Sequence, residues 1–254
     1  MARGVQFVRS VQVNAHPIER ATAPRVFRRL GSFRIVAECH GVNAARGGDF
    51  YCASLGEAGR LAVVIGDACG HGIEGARLVS RLLPDMLRLA SPGTGPGRLL
   101  ATFNRRVAAQ MPVDRFVTAA SVEIDPHSGL ATIANAGHVP TLLRRASGEV
   151  TLIGGTSGPA LGLLDHCIYP EERHALGVGD VLVFMTDGIL EAIESDLVTL
   201  PTLREVLARA PAGSRAVHEA ILERLRTRGA DGRTDDRTLI SVELLEQEAT
   251  RLAS

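Results

Sequence analysis

Apolar residues along this chain fall either into short unbroken runs or into a helical repeat, and the two patterns come in separate blocks. The clearest run is 61–65, LAVVI, followed by Gly66, Asp67 and a glycine-rich turn at 70–72. A strand covered on both faces is apolar on both, so this run predicts a buried strand with Asp67 where it ends. Residues 33–39 (FRIVAEC), 116–124, 130–134, 141–144, 150–153, 181–185 and 238–244 predict further strands, with 125–129 (DPHSG) as a turn. Neighbours joined by turns this short are expected to pair antiparallel.

The helical repeat starts at Ile73 and continues through Ala76, Val79, Leu83, Met86 and Leu87, one stripe on one face. It resumes at Leu99, Leu100, Phe103 and Val107 within 98–110, after the loop 91–97 (SPGTGPG). Pro84 lies inside the first helix. Its missing N–H and its ring predict a kink or break near 82–85. A further helical region, 203–226, is interrupted at Pro211. Strands flanked by two groups of helices predict an α+β fold: two stacked antiparallel β-sheets flanked by helices on both outer faces. One domain, 33–245, is expected, with a basic extension at 1–32 and a tail at 246–254. The first 30 residues hold six arginines and a single acid, Glu19. Val5 and Phe7, then Val11 and Val13, alternate there and predict an extra strand or hairpin.

Composition narrows the class of function. Hydrophobic residues at 45% and charged residues at 22% supply an ordinary globular core. The 28 basic and 28 acidic residues balance, so no overall field draws in nucleic acid or an anionic membrane, and neither partner is expected. No apolar run approaches the ~20 residues that span a bilayer, and no signal-peptide pattern opens the chain, so a cytoplasmic protein is expected. Cys39, Cys52, Cys69 and Cys167 show no CxxC spacing and predict neither a zinc site nor a redox pair.

Carboxylates beside glycines recur at strand edges. Gly47-Gly48-Asp49-Phe50-Tyr51 precedes the central run, and Asn135-Ala136-Gly137-His138, Gly179-Asp180, Thr186-Asp187-Gly188 and Asp235-Asp236-Arg237-Thr238 follow it. In this order GGDFY, GDxxGHG, NAGHxP, GDxLxxxTDGxxE and DDxT resemble the metal-dependent PPM (PP2C-type) protein serine/threonine phosphatases. The resemblance runs over 33–245 and is to the bacterial SpoIIE/RsbU/RsbX branch, which dephosphorylates regulators of sigma factors.

The resemblance implies a site for two divalent ions, Mn²⁺ or Mg²⁺, which suits an all-oxygen ligand set. Such ions activate water for direct attack on a phosphate monoester and neutralise the phosphoryl oxygens. By motif position, Asp67 resembles the carboxylate that bridges both ions, with the backbone carbonyl of Ala68 as a further ligand. Asp187 and Asp235 resemble ligands of the second ion, and Asp49 resembles the first-motif acid that holds the other, partly through water. Asp236 adjoins Asp235, and either can be the direct ligand, Asp235 being the one at the family position. His71 is either a general acid for the leaving oxygen or a residue that fixes the turn. Arg46 is either a phosphoryl grip or a surface arginine. Glu191 is expected to orient a helix start. His138 stands where other branches carry an aspartate linked to a third metal. Residues 154–162 are expected to form a rim loop near the substrate.

No Cys-x5-Arg cradle or GxSxG elbow is present, so a covalent cysteine or serine mechanism lacks its parts. The resemblance implies hydrolysis of phosphoserine or phosphothreonine on an anti-sigma-factor antagonist, a STAS-type protein, in a partner-switching stress response. The alternatives are a regulatory binding module of the same fold, or a metal hydrolase of small phosphoesters. A regulatory partner or a second copy is expected to act through the helices at 73–110, whose first turn follows directly on Asp67.

Overall fold

A computed structural model of the protein describes residues 6–8, 26–40, 47–69, 73–111, 115–155, 157–194, 197, 200–228 and 236–246. In chain order its elements are β1 (Gln6–Val8), β2 (Val26–Leu30), β3 (Phe33–His40), β4 (Asp49–Leu55) and β5 (Leu61–Ala68). Two helices follow, α1 (Ile73–Leu89) and α2 (Pro96–Ala108). Next come β6 (Val117–Asp125), β7 (Leu130–Ala136), β8 (Thr141–Arg144), β9 (Val150–Ile153), β10 (Ser157–Gly158), β11 (Glu171–Ala175) and β12 (Val181–Met185). The chain closes with α3 (Asp187–Ile193), α4 (Pro201–Arg209), α5 (Ser214–Thr227) and β13 (Arg237–Leu244).

The strands form two sheets. The first has the order β1-β4-β5-β6-β7-β10, with β11 also on β7, and the second has the order β2-β3-β13-β12-β8-β9. Strand pairing is antiparallel except for the short β10 on β7. The period of two along β5 decides which layer each side chain enters. Leu61, Val63 and Ile65 join Ile35, Val122, Ile133, Phe184 and Ile240 between the sheets. Val64 points the other way, with Phe50 and Cys52, toward Val79, Leu82, Met86, Leu100 and Phe103 of α1 and α2. Phe50 and Phe103 meet edge to face with centroids 6.4 Å apart. A third cluster packs Val181, Val183 and Met185 of β12 beneath Leu190, Leu203, Leu207, Val217 and Ile221 of α3, α4 and α5. Helices therefore cover both outer faces, and the unbroken apolar run at 61–65 reflects a strand buried on both sides.

Helix α1 departs from expectation at Pro84. The helix is unbroken from Ile73 to Leu89 with the proline inside it. Pro84 is exposed, on the face away from the buried Leu82 and Met86, where a carbonyl left without its helical donor can bond water. Within the stripe, Val79 and Met86 are buried as expected. The side chains of Ile73, Ala76, Leu83 and Leu87 lie outside the described residues. Helix α2 begins at Pro96, earlier than expected, with the proline in its first turn, where an absent N–H costs nothing.

The break at Pro211 separates α4 from α5, and buried polar groups fasten both ends of it. Arg144, only 4% exposed, donates to Leu207 O at 2.8 Å and Ala210 O at 2.7 Å, closing the C-terminus of α4. Glu243 accepts from Ser214 N at 2.9 Å and Ser214 Oγ at 3.0 Å, holding the start of α5. Strands β1 and β2 attach the N-terminal region to the body, β1 along β4 and β2 along β3. Val11 and Val13 lie outside the described residues. No helix among the described residues is long and apolar enough to cross a membrane.

Candidate metal centre

The acidic residues meet at one end of the sandwich because of strand register. On the first sheet β4 and β5 pair with Asp49 opposite Asp67, and β5 and β6 pair with Asp67 opposite Thr118. On the second sheet β12 runs into α3 at Asp187, and β13 begins just after Asp236. Within each sheet, contacts that only glycine permits bring the segment ends together. A Cβ on Gly48 would lie 2.5 Å from Ala68 O and 2.6 Å from Asp67 Oδ1, and one on Gly188 would lie 2.1 Å from Asp236 O. Gly48 N donates to Asp236 Oδ2 at 2.8 Å, while Gly48 O accepts from Ala68 N at 3.0 Å. The GGD, GD, TDG and DD segments thus converge on one cradle.

Asp49 is 5% exposed. Its Oδ2 accepts the Thr186 hydroxyl at 2.7 Å, and Thr186 Oγ1 in turn accepts Thr238 N at 2.9 Å. Burial, and then the charge of Asp67, push the Asp49 carboxyl well above the usual carboxylate range, against the hydrogen bond from Thr186. A cation between these acids would relieve that repulsion, and carboxylate oxygens suit a hard divalent ion. Among the described residues no three His, Cys, Asp or Glu side chains form a metal cage by themselves. The acids nevertheless fit the ions through their charge, their hard oxygens and the glycine cradle around them.

Asp187 is half-buried at the first position of α3, where its Oδ1 accepts Gly188 N at 2.8 Å. Asp236 Oδ2 accepts Gly48 N, which makes this residue a support for the GGD turn. Asp235, Arg46 and His71 lie outside the described residues. Glu191 is exposed on α3. Asp180, at the other end of β12 from Asp187, is a turn lock: it accepts Gly177 N at 2.9 Å, Arg145 Nη1 at 2.8 Å and Ala146 N at 2.8 Å. A recurring glycine–aspartate pair was the signal for both kinds of site, and sequence spacing alone did not separate them.

The residues that sequence reasoning missed are threonines. Thr186 and Thr238 are fully buried and orient Asp49, and their only signal was their place in the TDG and DDxT motifs. His138 is 8% exposed, with its Nδ1 2.8 Å from Thr118 Oγ1 and its Nε2 3.2 Å from Met185 O. A carbonyl only accepts, so Nε2 carries the proton and Nδ1 accepts the threonine hydroxyl. Burial lowers its pKa to about 4, so the ring is neutral near pH 7.

Cys69 follows the cradle directly. Its N donates to Phe116 O at 2.9 Å and its Sγ accepts from Phe116 N at 3.0 Å, which fastens the end of β5 to the start of β6. Burial pushes the Cys39 thiol up to about 12, aided by the charge of Asp49, so it is a packing residue rather than a nucleophile. The segment 154–162 is tied down at both ends. Asn135 Nδ2 donates to Gly154 O at 2.9 Å, and Leu161 pairs with Val117, the residue opposite Ala68.

The chain is similar in sequence and in fold to known proteins. The sequence profile of the family described as Stage II sporulation protein E (SpoIIE) matches residues 57–245. Phosphoserine phosphatase RsbP of Bacillus subtilis is 27% identical over 152 residues, covering 58% of this chain and 38% of that protein. Phosphoserine phosphatase RsbU of the same organism is 27% identical over 148 residues, covering 57% of this chain and 44% of that protein. The chain therefore matches less than half the length of either relative. The structure of the RsbU and RsbW domains of Rv1364c from Mycobacterium tuberculosis aligns with a TM-score of 0.74 at 26% identity, covering 87% of this chain and 63% of that one. RsbX in complex with magnesium aligns with a TM-score of 0.65 at 18% identity, covering 87% and 100%, a likeness of fold alone.

Proposed function

The chain belongs to the SpoIIE family, and on that premise we propose that it is a metal-dependent protein phosphatase that hydrolyses phosphoserine or phosphothreonine. The observation that carries the reading is the pairing of Asp49 opposite Asp67 inside a cradle closed by Gly48 and Gly188. Asp49 is buried and Asp67 half-buried beside it, and among the described residues no basic side chain is bonded to Asp49, so a cation suits the Asp49 carboxyl. Asp67 with the carbonyl of Ala68, Asp187, Asp235 and Asp49 would hold two Mn²⁺ or Mg²⁺ ions. Bound there, such ions supply a nucleophile from water at neutral pH and neutralise phosphoryl oxygens.

This chain's own residues have separate tasks in that reading. Thr186 and Thr238 fix the Asp49 carboxylate. Asp236 holds the GGD turn through Gly48 N. His71 gives a proton to the leaving serine or threonine oxygen, and Arg46 grips the phosphoryl group. The substrate is a phosphorylated STAS-type antagonist of an anti-sigma factor. Support comes from the two relatives named as phosphoserine phosphatases and from the protein that joins an RsbU domain to an RsbW domain.

Phosphate release from a panel of phosphoserine proteins, a phosphorylated STAS-domain protein among them, and from nucleotides and sugar phosphates tests this assignment. The expected result is a preference for the STAS-domain protein in kcat/KM. Equal or faster turnover of the small phosphates would make the enzyme a phosphoester hydrolase of another class.

A further inference from the structure

We propose that His138 is a positioning residue that sets the distance between Asp67 on one sheet and Asp187 on the other, and through it the affinity for the metal ions. The inference rests on the reading of Asp67 and Asp187 as ligands. The main chain of His138 is fixed before its ring makes any contact. Asn135, 2% exposed at the end of β7, accepts His138 N through Oδ1 at 2.7 Å and donates from Nδ2 to His138 O at 2.9 Å. The same Nδ2 reaches Gly154 O at 2.9 Å, so the turn cannot swing without breaking three buried hydrogen bonds.

From that fixed point the imidazole reaches both sheets. Nδ1 takes the hydroxyl of Thr118, the β6 residue directly opposite Asp67. Nε2 gives its proton to Met185 O, on β12 two residues before Asp187. Among the described residues, the links from Thr186 and Thr238 to Asp49 and from Gly48 to Asp236 also cross between the sheets here, and each uses a carboxylate of the acidic cluster as acceptor. The His138 link leaves the carboxylates alone and connects their strands. A metal site tolerates little error in ligand spacing, and groups that orient ligands without touching the ion typically change affinity by about 10–100-fold.

The chemistry of the ring suits this task. It must accept at one end and donate at the other, remain neutral among acids, and span from a side-chain hydroxyl to a main-chain carbonyl. An aspartate could accept from Thr118 but has no hydrogen for Met185 O, and its charge would oppose Asp67 and Asp187. Glutamine offers the same polarity, an oxygen to accept and an amide to donate.

Calorimetric titration of the purified chain with Mn²⁺ tests the proposal, alongside thermal unfolding of the metal-free proteins. His138→Ala and Thr118→Val are each expected to weaken Mn²⁺ binding by about tenfold or more, with His138→Gln recovering most of the loss. Thr118→Val keeps shape and removes only the hydroxyl, so it carries the test if His138→Ala does not fold. Lower unfolding temperatures with unchanged Mn²⁺ affinity would overturn the positioning role and leave His138 a core residue. Wild-type protein that binds no Mn²⁺ would overturn the ligand assignment itself, a separate outcome.

Discussion

Asp49 and His138 illustrate two ways in which burial acts on a titratable group at this end of the sandwich. For Asp49, burial and the facing Asp67 both oppose ionisation, and a cation bound there would supply what the protein interior withholds. For His138, burial favours the neutral ring, whose pKa falls from 6.5 to about 4. The consequence for stability has a definite sign. The unfolded chain binds a proton on this residue below about pH 6.5, while the folded chain does so only below about pH 4. Folding stability from His138 is therefore complete above pH 6.5 and is lost as pH falls toward 4, by up to about 3 kcal/mol. Asp49, whose pKa is raised in the fold, gains stability over the same range, so the loss is read from the difference between metal-free wild type and His138→Gln in denaturant unfolding at pH 7 and pH 4, with the wild type losing more. An unchanged slope in the variant would mean that His138 titrates normally.

Among the elements, α1 shows how local rules and tertiary packing compete. Pro84 breaks the hydrogen-bond ladder, yet Val79, Leu82 and Met86 bury a face against the first sheet and the helix runs through. The helix is continuous through the proline rather than broken near 82–85, so Pro84→Ala is expected to stabilise the protein. The gain should lie between about 1 and 3 kcal/mol, measured by urea unfolding, with the Mn²⁺ affinity unchanged. A destabilised variant would show that α1 needs its proline. Strand β11 was illegible for a related reason. Its sequence, EERHA, lies along β7 with its side chains mostly in solvent, so no hydrophobic alternation marks it. The central strands were legible because both of their faces are buried, and the ends of α4 and α5 because Pro211 stops one helix before the next.

At the level of the whole molecule, the two sheets act as two halves of one clamp. The first contributes Asp49 and Asp67 and the second Asp187, Asp236 supports the GGD turn between them, and register within each sheet brings these segments to one end. The motif order carried this much in the sequence. It did not reveal that Asp180 locks a distant turn, that Asp236 holds Gly48, or that Thr186 and Thr238 aim Asp49, because each depends on contacts that only the folded chain brings together. The central claim is that this clamp holds the ions on which phosphate hydrolysis depends. Its most direct test is the rate of phosphate release from a phosphoserine protein, measured for wild type in Mn²⁺, wild type in chelator, and Asp67→Asn in Mn²⁺. The account predicts turnover only for wild type in Mn²⁺, with a loss on the order of 100-fold or more in Asp67→Asn at an unchanged unfolding temperature. Full activity in chelator, or a near-native rate for Asp67→Asn, would contradict it.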